Sequence, residues 1–335
     1  MLGSDDLLDA AARLCSAAGR AAPASLAQLA GGKNNRVFAL ALSEGPSLIL
    51  KSYHADARDP RDRLFAEWSF LTYVWERGVR VVPEPLAQER ASHTALYTLM
   101  PGRKLAASEI DAGHIAQAAG FVAQANAAPR EPQALQPGSE ACFSLADHVA
   151  TVDRRVARLS TLDPDAPHRE RAETLVRTGL VPAWAKVRET ITAASDTTTL
   201  PLDAQCISPS DFGFHNAMVD DDGRVSFIDF EYAGRDDPAK LVCDFFCCPE
   251  IPVPLVHRAT FVDSLASDLG LDSAFRTRCD LLLDAYRIKW ACIILNDFLP
   301  MDAARRDFAH PGARDARCAA QLDKAVAKLA EIGLR

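Results

Sequence analysis

The stretch CISPSDFGFHNAMVDDDGRVSFIDFEYAGRDDPAKLVCD, residues 206–244, decides the reading of this chain. Asp211 is followed by Asn216 at the fifth position, and Asp229 follows in the apolar run Val225-Ser226-Phe227-Ile228-Asp229-Phe230-Glu231. This is the spacing of a phosphoryl-transfer site. Nucleotide with its metal ions is a dense block of negative charge, and the hydroxyl that attacks its terminal phosphorus must be held in line and lose a proton. One carboxylate, Asp211, suits the orienting and proton-accepting role. A neutral oxygen ligand, Asn216, and a second carboxylate, Asp229, suit Mg²⁺ held against phosphate oxygens. Met218-Val219 and Val225 to Ile228 read as two short strands around the Asp220-Asp221-Asp222-Gly223 turn. Such a hairpin brings Asn216 at its entry and Asp229 at its exit close together.

These residues resemble the aminoglycoside phosphotransferase and choline kinase superfamily, small-molecule kinases related to the protein kinases. Asp211 and Asn216 match the family's His-Gly-Asp-x4-Asn loop, and Ile228-Asp229-Phe230-Glu231 match its metal segment. Pro209 and Ser210 stand where the family has His and Gly, which puts the rigidity of the loop in question more than its chemistry. The literal Asp-Phe-Gly at 211–213 invites a different register, with Asp211 as a metal ligand. That register needs an upstream Asp with Asn five residues later, and Asp196 has Pro201 at that offset.

Upstream, Ser4-Asp5-Asp6 opens an apolar helix to about Ala18, and Ser25–Leu29, Arg36–Leu42 and Ser47–Tyr53 read as strands. The turn Gly31-Gly32-Lys33-Asn34-Asn35 between the first two can lay backbone N–H groups over phosphates. Lys51 sits among apolar residues late in the third strand, where its charge needs a partner. A helix opened by Asp59-Pro60 carries Glu67, sixteen residues on, at a separation that lets the two meet. The resemblance makes Lys51 the phosphate-contacting lysine and Glu67 the residue that holds it. Leu86–Gln88 and Thr94–Met100 read as two more strands. By resemblance, backbone groups near Leu99, Met100 and Pro101 hold the adenine at the hinge.

Beyond Pro101 the pattern is helical: Ser108–Ala127, Ser144–Ser160, His168–Ala194, Asp237–Cys247, Val253–Asp268, Ser273–Leu299 and Ala313–Ile332. The family's acceptors bind between the C-terminal helices and the catalytic Asp. Glu231, Asp284 and Asp297, with Tyr286 and Trp290, are therefore acceptor candidates by resemblance, and Asp244 reads as structural.

The expected fold is α+β and protein-kinase-like. It has an N-terminal antiparallel-sheet lobe, residues 1–101, a larger helical lobe, residues 102–335, and nucleotide in the cleft between them. The expected reaction moves the γ-phosphoryl group of ATP, or GTP, to a hydroxyl of an aminoglycoside, sugar or amino alcohol. Asp211 is its base, Mg²⁺ lies on Asn216 and Asp229, and residues 31–35 cover the phosphates. A choline or ethanolamine-type kinase and a catalytically silent nucleotide-binding protein are the alternatives. A protein kinase is disfavoured, because no activation segment separates Asp229 from the next helix.

Composition agrees. A formal net charge of -8 argues against nucleic acid or anionic membrane as partner and suits a neutral or cationic substrate. Nine cysteines without paired spacing suit reduced thiols in the cytoplasm. No apolar run is long enough to span a bilayer.

Overall fold

The computed structural model describes residues 4–29, 35–54, 61–128, 130–194, 197–300 and 314–333. Two compact units are formed, residues 1–139 with 207–235 and residues 140–206 with 236–335.

The first unit is built on a five-stranded antiparallel sheet of β1 (Pro23–Gln28), β2 (Asn35–Leu42), β3 (Leu48–Tyr53), β4 (Pro85–Glu89) and β5 (Thr94–Thr98), in the order β1-β2-β3-β5-β4. Strand side chains alternate between faces, and that alternation divides the sheet's chemistry. Leu48 and Leu50 of β3 and Leu96 of β5 join Phe38 and Leu40 in an apolar layer against Leu7, Ala11, Leu14 and Cys15 of helix α1 (Ser4–Ala17). Lys51 and Tyr53 of β3 point the other way, with Lys51 registered opposite Ala95 and Ile49 opposite Tyr97. Helix α2 (Arg63–Glu76) buries Glu67, Phe70, Leu71 and Val74, residues at helical spacing. Asp62, accepting from the Phe65 N–H at 2.9 Å, caps it, so the described helix begins after Asp62; Asp59-Pro60 lies outside the described residues.

After β5 the chain turns through Gly102, whose φ of +102° is one only glycine adopts freely. A Cβ there would lie 2.1 Å from the Val219 carbonyl oxygen. This close approach lets Arg103 and Val219 exchange two backbone hydrogen bonds, of 2.9 and 2.8 Å. Helix α3 (Ala112–Ala125), capped by Asp111, follows. The short strands Ala217–Val219 and Val225–Phe227 pair as the expected antiparallel hairpin. Its turn is closed by the Asp220 carboxylate, which accepts from the N–H groups of Asp222 (3.1 Å) and Arg224 (2.9 Å).

The second unit is helical: α4 (Leu145–Arg158), α5 (Arg169–Leu175), α6 (Val181–Ala193), α7 (Pro238–Cys247), α8 (Arg258–Leu269), α9 (Ser273–Ile294) and a closing helix, Arg314–Ala330. The expected single helix over 168–194 is interrupted by a π-turn at Val176–Leu180. Pro182 explains the break, since it has no N–H to donate and its ring crowds the carbonyl one turn back.

Around α7 the polar groups are buried and paired. Asp236 accepts from the Cys142 N–H (2.9 Å) and Lys240 (2.5 Å). Asp244 accepts from Lys289 (2.8 Å to each oxygen) and from Trp290 Nε1 (3.0 Å). The His148 ring meets the Tyr286 hydroxyl at 2.7 Å and Asp237 at 3.1 Å, and Arg278 also donates to Asp237. Burial pushes the His148 pKa down, but hydrogen bonding and charge from Asp237 and Cys142 together outweigh it and raise the value to about 9 from an ordinary 6.5. Protonation is therefore favoured by folding. The stability it contributes is fully present below pH 6.5 and is lost as pH rises through about 9. We expect thermal unfolding of the full chain to fall across that window, and His148→Gln to flatten the fall; equal pH dependence in the two proteins would contradict the assignment.

Candidate active site

Strand alternation and one helical face bring a charged set together inside the first unit. Lys51 Nζ donates to both Glu67 oxygens, at 2.7 and 3.0 Å, and to Asp229 Oδ1 at 2.9 Å. Lys51 and Glu67 are 8% and 1% exposed, so neither charge is tolerable alone. Burial pushes the Lys51 pKa down, yet Asp229 and then Glu67 raise it above its ordinary value, and the ammonium stays charged.

Glu67 is held from several sides. Besides Lys51 it accepts from the Tyr53 hydroxyl at 2.7 Å and from the Phe230 N–H at 3.3 Å, and Tyr53 shares a 2.8 Å hydrogen bond with Tyr97. Tyr53 and Tyr97 were not evident as site residues in the sequence. Their only signal is that each stands an even number of positions from a residue on the Lys51 face. Phe70 of α2 stacks on Phe230 at 4.6 Å, which fixes the residue after Asp229 against the helix that carries Glu67.

The hairpin delivers the remaining groups. Ile228 N–H donates to the Asn216 carbonyl at 2.9 Å, which sets Asn216 beside the residue that precedes Asp229. Asn216 Nδ2 donates to the Asp211 carbonyl at 3.0 Å, so the amide folds back over its own loop and its Oδ1 is the end left to accept. The Asp211 carboxylate lies 3.3 Å from His215 Nε2, an i,i+4 neighbour whose role the sequence alone does not signal. Asp211 and Asp229 have side chains 36% and 42% exposed, so both reach solvent.

The loop that runs through Pro209 to Asp211 is flanked by two sets of packed groups. Asn126, 3% exposed at the end of α3, accepts from the Ile207 N–H (2.8 Å) and donates to the Ile207 carbonyl (2.9 Å). Phe121 packs on Phe227 at 4.7 Å and Phe212 at 5.8 Å, with Phe212 on Phe227 at 5.1 Å. Two non-glycine residues here take left-handed backbone, Ser210 at φ +67° and Asp229 at φ +69°. Asp tolerates that region better than most residues, and strain of this kind gathers at functional sites. Ser210 stands where glycine would cost nothing. Ser210→Gly is expected to stabilise the chain by about 1 kcal/mol, read as a raised melting temperature; a lowered one would show that the Ser210 side chain matters more than its backbone.

Asn35, the last residue of the glycine-rich stretch, donates to Glu231 at 2.5 Å, and Arg63 Nε lies 3.4 Å from the same carboxylate. Gly31, Gly32, Lys33 and Asn34 lie outside the described residues. The β5 ladder ends at Thr98, leaving Leu99 47% exposed, with Met100 after it.

The acceptor candidates have partners within their own units. Glu231 is buried and tied to Asn35 and Arg63. In the second unit Asp284 is 2.6 Å from Arg287 and accepts from the Gly333 N–H, while Asp297, 0% exposed, is 2.9 Å from Arg317. Tyr286 is buried on His148, and Trp290 donates to Asp244. All these side chains are engaged by neighbours within their own units.

Among the described residues no cluster of three or more His, Cys, Asp or Glu is arranged for a metal ion. No helix among them is long and apolar enough to cross a membrane.

Residues 25–276 match the family described as "Phosphotransferase enzyme family". No curated protein sequence matches. Among solved structures, a spectinomycin phosphotransferase in complex with ADP and spectinomycin aligns with a TM-score of 0.64 at 11% identity, covering 98% of each chain. A choline kinase from Cryptosporidium parvum Iowa II aligns at 0.55 and 10% identity, over 92% of this chain and 90% of that one. An amicoumacin kinase in complex with AMP-PNP, Ca²⁺ and its antibiotic aligns at 0.54 and 15% identity, over 92% and 88%. At these identities the likeness is one of fold, which is α+β and protein-kinase-like. Because the family match spans most of its length, the chain belongs to the phosphotransferase enzyme family.

Proposed function

We propose that the protein transfers the γ-phosphoryl group of ATP, or GTP, to a hydroxyl of a small molecule such as an aminoglycoside, sugar or amino alcohol. The observation that carries this reading is Lys51, buried and bridging Glu67 and Asp229, on the same unit as Asp211 and Asn216. Residues 1–101 would serve as the nucleotide lobe and 102–335 as the catalytic and acceptor lobe, with backbone groups at Leu99 and Met100 meeting the base. Lys51 would bind the α- and β-phosphates. Glu67, Tyr53 and the Phe230 N–H would keep its ammonium in place, so that little reorganisation is needed when nucleotide enters. Asp211 would orient the acceptor hydroxyl and take its proton, and His215 would fix the carboxylate from the adjacent turn.

The donor set fits a hard divalent cation. Asn216 offers an amide oxygen, Asp229 a solvent-reaching carboxylate, and phosphate oxygens complete such a coordination sphere. When bound, Mg²⁺ would neutralise charge on the phosphates. Nine buried cysteines, none of them in a disulfide, support a cytoplasmic setting. The acidic net charge of -8 supports a neutral or cationic acceptor rather than nucleic acid.

The test incubates the full chain with Mg²⁺, ATP or GTP, and a panel of aminoglycosides, sugars and amino alcohols. Acceptor-dependent nucleoside diphosphate release, with product mass raised by one phosphoryl group, is expected. Diphosphate release that no acceptor accelerates, with no phosphorylated product across a broad hydroxyl panel, would overturn the transferase reading.

A further inference from the structure

We propose that Lys104 is a second cation for the nucleotide's polyphosphate, positioned by the backbone bridge between Arg103 and the catalytic hairpin. This rests on the nucleotide site proposed above and adds a residue to it.

Lys104 directly follows Arg103, whose paired hydrogen bonds to Val219 lock the segment after Gly102 to the hairpin. Its ammonium donates to the His215 carbonyl at 2.7 Å, one residue before Asn216. Among the described residues that carbonyl is its one hydrogen-bond partner, and no carboxylate lies within ion-pairing distance. Lys51 contrasts with it, being shared between two carboxylates.

The charge balance explains what such a cation would do. Glu67, Asp229 and Asp211 carry three negative charges against the single positive charge of Lys51, leaving two negative charges where an anionic ligand must bind. A further ammonium halves that excess. Lys104 is close enough to feel both neighbours. Partial burial pushes its pKa down, Asp229 raises it and Lys51 lowers it again. A carbonyl bond costs little to exchange for a phosphate oxygen, since bonds between charged partners are the stronger ones. Its chemistry suits polyphosphate oxygens and gives no purchase on the uncharged base.

The test measures binding of MgATP, MgADP and adenosine to the full chain and to Lys104→Met and Lys104→Arg. Lys104 is exposed, so both variants are expected to fold, and thermal unfolding checks this. The expected result is a Kd for ATP and ADP raised about tenfold in Lys104→Met, adenosine binding unchanged, and most of the loss recovered in Lys104→Arg. ATP affinity unchanged in Lys104→Met overturns the inference, as does equal weakening of adenosine, which would place the effect on the hinge. Unchanged ATP affinity with a raised KM for the acceptor also overturns it, by moving the cation to the other substrate. If the unsubstituted chain binds no nucleotide, the proposed function itself falls, and this inference with it.

Discussion

Replacing Asp211 with Asn is expected to reduce turnover by about 10²- to 10⁴-fold while leaving MgATP affinity within about twofold of the unsubstituted protein. The substitution keeps the size of the side chain and its reach toward His215, 3.3 Å away in the native chain. What it removes is the capacity to accept a proton from the attacking hydroxyl. Asp211 is partly exposed and lies in a loop held by Asn126 and the Phe121, Phe212 and Phe227 cluster. The loss should therefore appear in kcat and not in the melting temperature. Turnover within about threefold of native would show that Asp211 is not the base, since positioned proton acceptors contribute far more than that.

Lys51→Met should fail in a different way. It strips the buried Glu67 carboxylate of its ion partner, leaving the Tyr53 hydroxyl and the Phe230 N–H to hold it. Breaking a buried pair from one side costs about 3–5 kcal/mol, because the remaining charge stays desolvated. We expect a large drop in melting temperature together with loss of nucleotide binding. The double substitution Lys51→Met with Glu67→Gln separates the two effects: it should recover much of the stability and none of the nucleotide binding. A single Lys51→Met variant as stable as the native chain would contradict the buried pair.

How much of this could be read from the chain alone follows from the kind of signal each residue gives. Asp211, Asn216 and Asp229 stand at spacings that chemistry constrains, and the Asp-Asp-Asp-Gly turn between them is a local signal, so the hairpin was predictable. Lys51 was conspicuous because a charge inside an apolar strand demands a partner. Tyr53 and Tyr97 give no such signal, since tyrosines in strands are ordinary: Tyr53 donates to Glu67, and Tyr97 reaches Tyr53 only because the sheet brings residues 44 positions apart together. Asn126 looked like an unremarkable helix end, and its pairing with Ile207 spans 81 positions. Asp284 and Asp297 give a signal of another kind. An acid on a helix reads as surface or ligand, and their partners Arg287 and Arg317 identify themselves only when the helices are packed. Asp59-Pro60 is a helix opening by local preference, whereas Asp62 is the residue whose carboxylate reaches an N–H of the first described turn.

The central claim is that Asp229 and its neighbours form a metal-dependent nucleotide site, and calorimetric titration of ATP into the full chain tests it most directly. We predict that Mg²⁺ strengthens ATP binding to the native protein and that this Mg²⁺ dependence disappears in Asp229→Asn, with the melting temperature retained. Binding that ignores Mg²⁺ in both proteins, or no binding of ATP or GTP to the native chain, would contradict the account.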